Sequence, residues 1–280
     1  MNHDPKERVI LITGCSSGIG AHCARRLNED GWRVIASARK QADIDALKDD
    51  GIEAFRLDYA EPESIADFFD AAMKSTGGRC DGLYNNGANS QVGAVEDLPV
   101  EALRQQFESN FFGYHDLTCR VIPLMRAQGR GRIVHCASIL GRIPARWTGA
   151  YNASKYALEG LALTLRMELA GSGIHVSLIE PGPIDTKIAR NALARFEQNV
   201  DAESSAHRSA YAKRIGILRG EIKPPRPKTG PETVYKALHH ALNAPNPRPH
   251  YPVTLEARGG LIAQRLLPAR LLYWGLGKVQ

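Results

Sequence analysis

The sequence predicts an α/β fold: a single doubly wound parallel sheet of about seven strands, with helices on both faces and an insertion late in the chain. Three observations carry this prediction. Short β-branched apolar runs alternate with longer segments of helical period through the first two-thirds, as βαβ units feeding one parallel sheet require. A glycine-rich turn follows the first run and opens a helix. The 280 residues, 43% of them hydrophobic, fall in the upper range of one α/β domain, so residues 1–280 are expected to form one.

The strands are expected at Arg8 to Thr13, Trp32 to Ala38, Ile52 to Leu57, Gly82 to Asn85, Arg132 to Ala137 and Ile174 to Ile179. A seventh is expected at Pro249 to Thr254. Helices are clearest where glycine closes them: Ser17 to Asp30 before Gly31, Pro99 to Gln128 before Gly129, and Thr148 to Ala170 before Gly171. Pro123 is expected to kink the second. The polar, basic stretch Lys187 to Thr229, with Pro224, Pro225 and Pro227, reads as an insertion placed to act as a substrate lid at the carboxyl ends of the strands. A final helix is expected near Leu261 to Leu276.

Charge and cysteines narrow the function classes. The net charge of +6 resides in the tail third, where 16 Lys/Arg face 6 Asp/Glu over Lys187 to Gln280. No nucleic-acid module accompanies it, so a solvated basic face is expected and nucleic acid is not. The five scattered cysteines form no C-x-x-C pair, which points to reduced thiols in a cytoplasmic setting and no metal site. No signal-peptide layout opens the chain, and no apolar run reaches the length of a membrane span.

The turn Thr13-Gly14-Cys15-Ser16-Ser17-Gly18-Ile19-Gly20 lies between strand and helix. Glycines there let the backbone approach a pyrophosphate, and the helix N-terminus supplies free N–H groups. The second strand ends Ala36-Ser37-Ala38-Arg39-Lys40. The carboxylate that would bind a ribose 2′-hydroxyl is missing, while Arg39 can pair with a 2′-phosphate and Ser37 can add a hydrogen bond, so NADP(H) is the expected cofactor. Tyr151 and Lys155 stand four apart on one helix face, where an ammonium and a positive nicotinamide would favour the phenolate. Ser138 ends the fifth strand, placed to hydrogen-bond a substrate oxygen.

Taken with Asp58, Asn85-Asn86-Gly87-Ala88, Asn110 and Pro181-Gly182-x-x-x-Thr186, these motifs resemble the short-chain dehydrogenase/reductase family, in its order, across the first two-thirds of the chain. The resemblance implies a Rossmann-type fold and alcohol–carbonyl interconversion. Tyr151 would be the general acid or base, and Lys155 would hold the nicotinamide ribose. Ser138 would orient the carbonyl, and Asn110 would fix a relay water. Gly14, Ser16, Ser17, Gly18, Ile19 and Gly20 would bind the pyrophosphate; Asp58 and Asn86 would lie on the adenosine side; Pro181, Gly182, Ile184 and Thr186 would meet the nicotinamide.

One departure is that the family's Asn-Asn-Ala-Gly appears with its glycine moved one place forward, which would strain Ala88 if that position needs φ > 0. The strand end Ala36 to Arg39 and the basic tail resemble the 17β-hydroxysteroid and retinol dehydrogenase branch, which acts on hydrophobic alcohols and ketones. Pocket candidates are Ile139, Leu140, Trp147, Ile184 and Ile188, with Arg142 and Arg146 facing solvent or an anion. The long helices resemble those of the family's dimer bundle, implying a homodimer or homotetramer. The segment from Leu261 to Trp274 mixes apolar residues with arginines; packing on the body is expected ahead of membrane contact. A cofactor-retaining epimerase or dehydratase and a non-catalytic NADP(H) sensor are the alternatives; length counts against the first and the intact Tyr151, Lys155 and Ser138 against the second.

Overall fold

Parallel strands buried on both faces need near-continuous apolar runs, and the runs predicted above are the strands observed. The computed structural model describes residues 8–222 and 228–278; Pro224, Pro225 and Pro227 lie outside them. The strands are β1 (Val9–Ile12), β2 (Arg33–Ala38), β3 (Glu53–Arg56), β4 (Gly82–Asn85), β5 (Gly131–Cys136), β6 (Ile174–Glu180) and β7 (His250–Pro252). All pair in parallel, in the spatial order β3-β2-β1-β4-β5-β6-β7. Chain order reverses between β1 and β4, which opens a ligand crevice at their carboxyl ends.

Period-two alternation sends each strand's side chains to two cores. Ile10 and Ile12 face one side, covered by α1 (Gly18–Glu29), α2 (Gln41–Asp49) and α9 (Glu232–Asn243). Val9 and Leu11 face the other, under α3 (Pro62–Thr76), α5 (Gly113–Ala127) and α6 (Gly149–Glu168). Each fully buried Ile or Leu contributes about 1.5–3 kcal/mol of apolar transfer, so these two layers fix the register of the sheet.

The long helix expected from Pro99 to Gln128 is interrupted. It forms α4 (Val100–Phe107), one π-helical stretch at Glu108–Phe112, and then α5, which runs through Pro123 to Ala127. The widened turn satisfies two tertiary demands. It buries Asn110 against the loop after β4, and it brings Gly113 onto Tyr59 so closely that a Cβ there would lie 2.6 Å from the Tyr59 Cβ.

Residues 187–222, expected as a loose insertion, contain two helices, α7 (Ile188–Asn199) and α8 (Arg208–Arg219). They enclose a small core of Val92, Ala94, Ala192, Phe196, Val200 and Tyr211, against the loop that leaves the carboxyl end of β4. Gln91 joins the two parts: its Nε2 donates to the Arg195 carbonyl at 3.4 Å and its Oε1 accepts from Asn199 at 2.8 Å. The final helix expected at Leu261 to Leu276 is instead two. The first, α10 (Leu255–Leu266), starts earlier because Thr254 Oγ1 caps it by accepting the Ala257 N–H at 3.2 Å. Pro268 cannot donate a helical hydrogen bond, and α11 (Ala269–Lys278) begins after it.

Candidate active site

The glycine turn is held from behind by side chains of the neighbouring loop. Thr13 Oγ1 accepts the N–H of Asn86 at 2.8 Å and of Gly87 at 3.1 Å, while Asn86 Nδ2 donates to the carbonyls of Thr13 at 3.0 Å and Gly14 at 3.3 Å. Gly14 and Gly18 take left-handed backbone, with φ of 69° and 59°. A Cβ on Gly14 would sit 2.3 Å from Gly87 Cα, and one on Gly20 would sit 2.3 Å from the Gly14 carbonyl. Position 87 is tight as well, since a Cβ on Gly87 would come within 3.2 Å of the Gly14 backbone. Ala88 does not have positive φ, so the anticipated strain is absent. Asn86, expected on the cofactor, has its amide turned to the glycine turn. Ser16 is exposed and Ser17 is the N-cap of α1, with no side-chain hydrogen bond to its first N–H groups, while Ile19 packs on the core.

At the end of β2 the reading divides. Ser37 is buried, and its carbonyl supports the glycine turn by accepting the Cys15 N–H at 2.7 Å. Arg39 is exposed, with Nη1 3.9 Å from Asp58 Oδ2. Asp58 is a turn residue as well, its Oδ1 accepting the Ala60 N–H at 3.1 Å. Arg195 of α7, which the sequence reading missed, joins these charges: burial and Arg39 push its pKa down and Asp58 pushes it up.

Ser138, Tyr151 and Lys155 come together at the carboxyl end of β5. Ser138 leaves the strand in extended backbone, and its Oγ accepts the Leu140 N–H at 3.1 Å. Burial pushes the Tyr151 phenol up, and a hydrogen bond from Ser138 opposes this. Lys155 Nζ lies 5.8 Å from the Tyr151 ring centre and 5.0 Å from that of Tyr114, and donates to the Cys136 carbonyl at 2.7 Å. Burial pushes the Lys155 pKa down to about 8. Desolvation is the largest influence on this phenol, and the Ser138 hydrogen bond adds a contribution toward the phenolate beyond the ammonium and the nicotinamide that the sequence pointed to. Asn110 is buried and its amide holds two partners: Nδ2 donates to the Asn89 carbonyl at 2.9 Å and to Ser154 Oγ at 3.5 Å, and Oδ1 accepts the Asn89 N–H at 3.0 Å. Its side chain thus ties the loop after β4 to α6.

Behind this row is a polar layer with no sequence signal of its own. The Tyr59 hydroxyl stands between Thr13 Oγ1 at 2.9 Å and Asn85 Oδ1 at 2.5 Å, and Asn85 Nδ2 donates to Thr118 Oγ1 at 3.0 Å. His135 stacks on Tyr114 at 6.0 Å, and burial with the nearby Lys155 charge pushes it down to about 3, so it is neutral. One turn beyond Lys155, Glu159 is buried beside Glu180, with His250 Nδ1 2.8 Å from Glu180 and 3.5 Å from Glu159. Burial, then the Glu180 charge, raise the Glu159 pKa to about 8. Arg142, expected toward solvent or an anion, pairs with Glu180 at 3.1 Å instead. Arg142 Nη1 also lies 3.3 Å from His250 Nδ1, so its charge stands against two of the three groups in this cluster.

Pro181 to Thr186 follows β6 along the crevice. Thr186 packs on Gly18, where a Cβ would meet its Cγ2 at 2.9 Å, and Ile184 is buried and bridges to Thr229. Gly182 faces Thr254, and Ile188 opens α7. Trp147 alone among the described non-glycine residues has positive φ, 65°, and packs edge-on to His207 and Tyr211. Such backbone costs about 1–3 kcal/mol and marks functional clefts. With Ala94, Val95, Glu96, Arg146 and His207 it lines an open cleft.

Comparison with known proteins agrees with this geometry. A family model described as short chain dehydrogenase matches residues 8–196. The chain is 39% identical over 266 residues to the uncharacterized oxidoreductase YbbO of Escherichia coli K12, covering 95% of this chain and 93% of that protein. It is 30% identical over 278 residues to the rat (Rattus norvegicus) 17-beta-hydroxysteroid dehydrogenase type 6, covering 95% and 86%. Among solved structures, a short-chain dehydrogenase from Streptomyces avermitilis superposes with a TM-score of 0.77 at 29% identity, covering 98% and 97% of the two chains. An actinorhodin polyketide ketoreductase with NADPH superposes at 0.70 and 27% identity, covering 87% and 93%.

Proposed function

The chain belongs to the short-chain dehydrogenase family, and on that premise we propose that it is an NADP(H)-dependent oxidoreductase interconverting an alcohol and a ketone or aldehyde on an apolar small molecule. The observation that carries the reading is the meeting of Ser138, Tyr151 and Lys155 beside the glycine turn. The residues present fit the cofactor: a turn whose glycines at 14 and 20 let it fold tightly against the Asn86-Gly87 loop at the N-terminus of α1, and an exposed Arg39 with no acid at the strand end. The bound nicotinamide supplies or accepts the hydride.

The chain's own groups do the rest. The Ser138 hydroxyl donates to the substrate oxygen and fixes it within reach of the Tyr151 hydroxyl. Tyr151 gives its proton to that oxygen in reduction and takes it back in oxidation. A phenol raised by burial holds its proton firmly until the cation beside it and the charge of the bound cofactor lower it, so transfer is coupled to a filled site. Lys155, seated on the Cys136 carbonyl, is in place to turn toward the ribose and the phenol. Arg39, with Arg195 above it, takes the 2′-phosphate, and residues 187–229 serve as the lid. The cleft at Val95 and Trp147 admits an apolar substrate, in keeping with the hydroxysteroid dehydrogenase relative.

Replacing Tyr151 by Phe tests this. Removing a general acid is expected to lower NADPH-dependent carbonyl reduction by about 10²–10⁴, with NADPH affinity by fluorescence titration nearly unchanged. A fully active Tyr151→Phe enzyme would refute the assignment.

A further inference from the structure

Two short helices at the end of the described chain expose an apolar face that nothing in the fold covers. Leu255, Ile262, Leu266, Leu271, Tyr273 and Trp274 are each more than half exposed, all within α10 and α11 or on the edge between them. The helices are held to the body along a narrow edge. Ala257 and Leu272 are their buried side chains, Gly260 lies so close to Ile143 that a Cβ would come within 2.9 Å of its Cδ1, and Gln264 donates to the Arg142 carbonyl at 2.7 Å. The packing on the body expected from the sequence is confined to that edge.

Around the apolar face stand Arg258, Arg265, Arg270 and Lys278 against the single acid Glu256. Arg265 and Arg270 form no ion pair among the described residues. We propose that α10 and α11 dock this protein on the surface of an anionic lipid bilayer, their apolar side chains at the headgroup boundary and their cations on the phosphates. Exposed leucine, isoleucine, Trp and Tyr with arginines three or four positions away, whose long stems carry the guanidinium outward from the apolar surface, are a composition that lies in such an interface. No described helix is long and apolar enough to cross a membrane, so the contact is parallel to the surface. Charge decides against a second copy as occupant, since a two-fold interface would set this basic face against itself. The patch adjoins the cleft, for a Cβ on Gly277 would lie 3.4 Å from Arg146, which lines it. A bilayer there would present apolar substrate at the entrance, although docking does not itself depend on the proposed function.

The test uses the full chain, with neither substrate nor cofactor, so its outcome is separate from that of the catalytic reading. Vesicles of phosphatidylcholine mixed with phosphatidylglycerol are expected to co-sediment the protein, and phosphatidylcholine alone to do so more weakly. Binding should fall as salt rises. Trp274 reports insertion by a blue shift in fluorescence, because Trp32 is buried and Trp147 is packed on His207 and Tyr211. The double variant Leu266→Glu/Leu271→Glu should stay in the supernatant with unchanged circular dichroism and melting, and Arg270→Glu should weaken partitioning by about fivefold or more. The proposal is overturned if the protein ignores anionic vesicles, if the double variant binds them as well as the parent, or if light scattering shows a dimer that the double variant dissociates without any vesicle binding.

Discussion

Glu159 offers a quantitative check on the chemistry behind the catalytic row. It is 5% exposed, its two side-chain oxygens have no hydrogen-bond partner, and its pKa is raised from 4.5 to about 8 by burial and the neighbouring Glu180. Between those values the native state keeps the proton while the unfolded chain releases it. Stability therefore falls as pH rises from 4.5 to about 8, and the penalty is absent below 4.5. Each unit is worth about 1.36 kcal/mol, so near pH 7 the proton held between Glu159 and Glu180 costs the native state on the order of a few kcal/mol. Glu159→Gln keeps the volume, cannot ionise, and brings an N–H₂ toward Glu180 Oε2, which also has no partner. The groups that face it are Glu180, Arg142, His250 and Lys155. The variant is expected to gain about 2–3 kcal/mol over the parent at pH 7 and nearly nothing at pH 4.5, read from urea unfolding followed by circular dichroism. An equal gain at both pH values, or a loss at pH 7, would refute the claim that Glu159 is the buried proton holder.

Two further predictions concern the crevice. Gly14→Ala combines left-handed backbone, worth about 1–2 kcal/mol, with a Cβ 2.3 Å from Gly87 Cα, whereas Gly31→Ala meets open space at a φ of 81°. The first should lose clearly more stability than the second and should abolish NADPH binding; equal melting temperatures would contradict the close approach of the two loops. Arg39→Asp should lower the ratio of kcat/KM for NADPH over NADH by tenfold or more, since a carboxylate beside Asp58 repels a 2′-phosphate and can accept from a ribose hydroxyl. An unaltered ratio would remove the assignment of Arg39.

Local chemistry made the scaffold and the catalytic row legible in the sequence. Strands buried on both faces must be apolar runs, a helix must begin where Ser17 and the glycines stand, and a four-residue spacing puts Tyr151 and Lys155 on one face. The seven strands, α1 and α6 accordingly fall within a few residues of the expected places. Contacts distant along the chain decided the rest. The π-helical turn lets Asn110 reach Asn89 and Gly113 clear Tyr59, and Gly14 must be bare because the loop at Gly87 lies against it. Arg142 reads from sequence as facing solvent or an anion because its partner Glu180 is 38 residues away, and the partners of Tyr59, His135 and Glu159 likewise lie 20 or more residues off in the chain. Periodicity and spacing report which face a residue occupies, but a buried charge takes its meaning from what is packed against it, and only the tertiary structure brings those groups together.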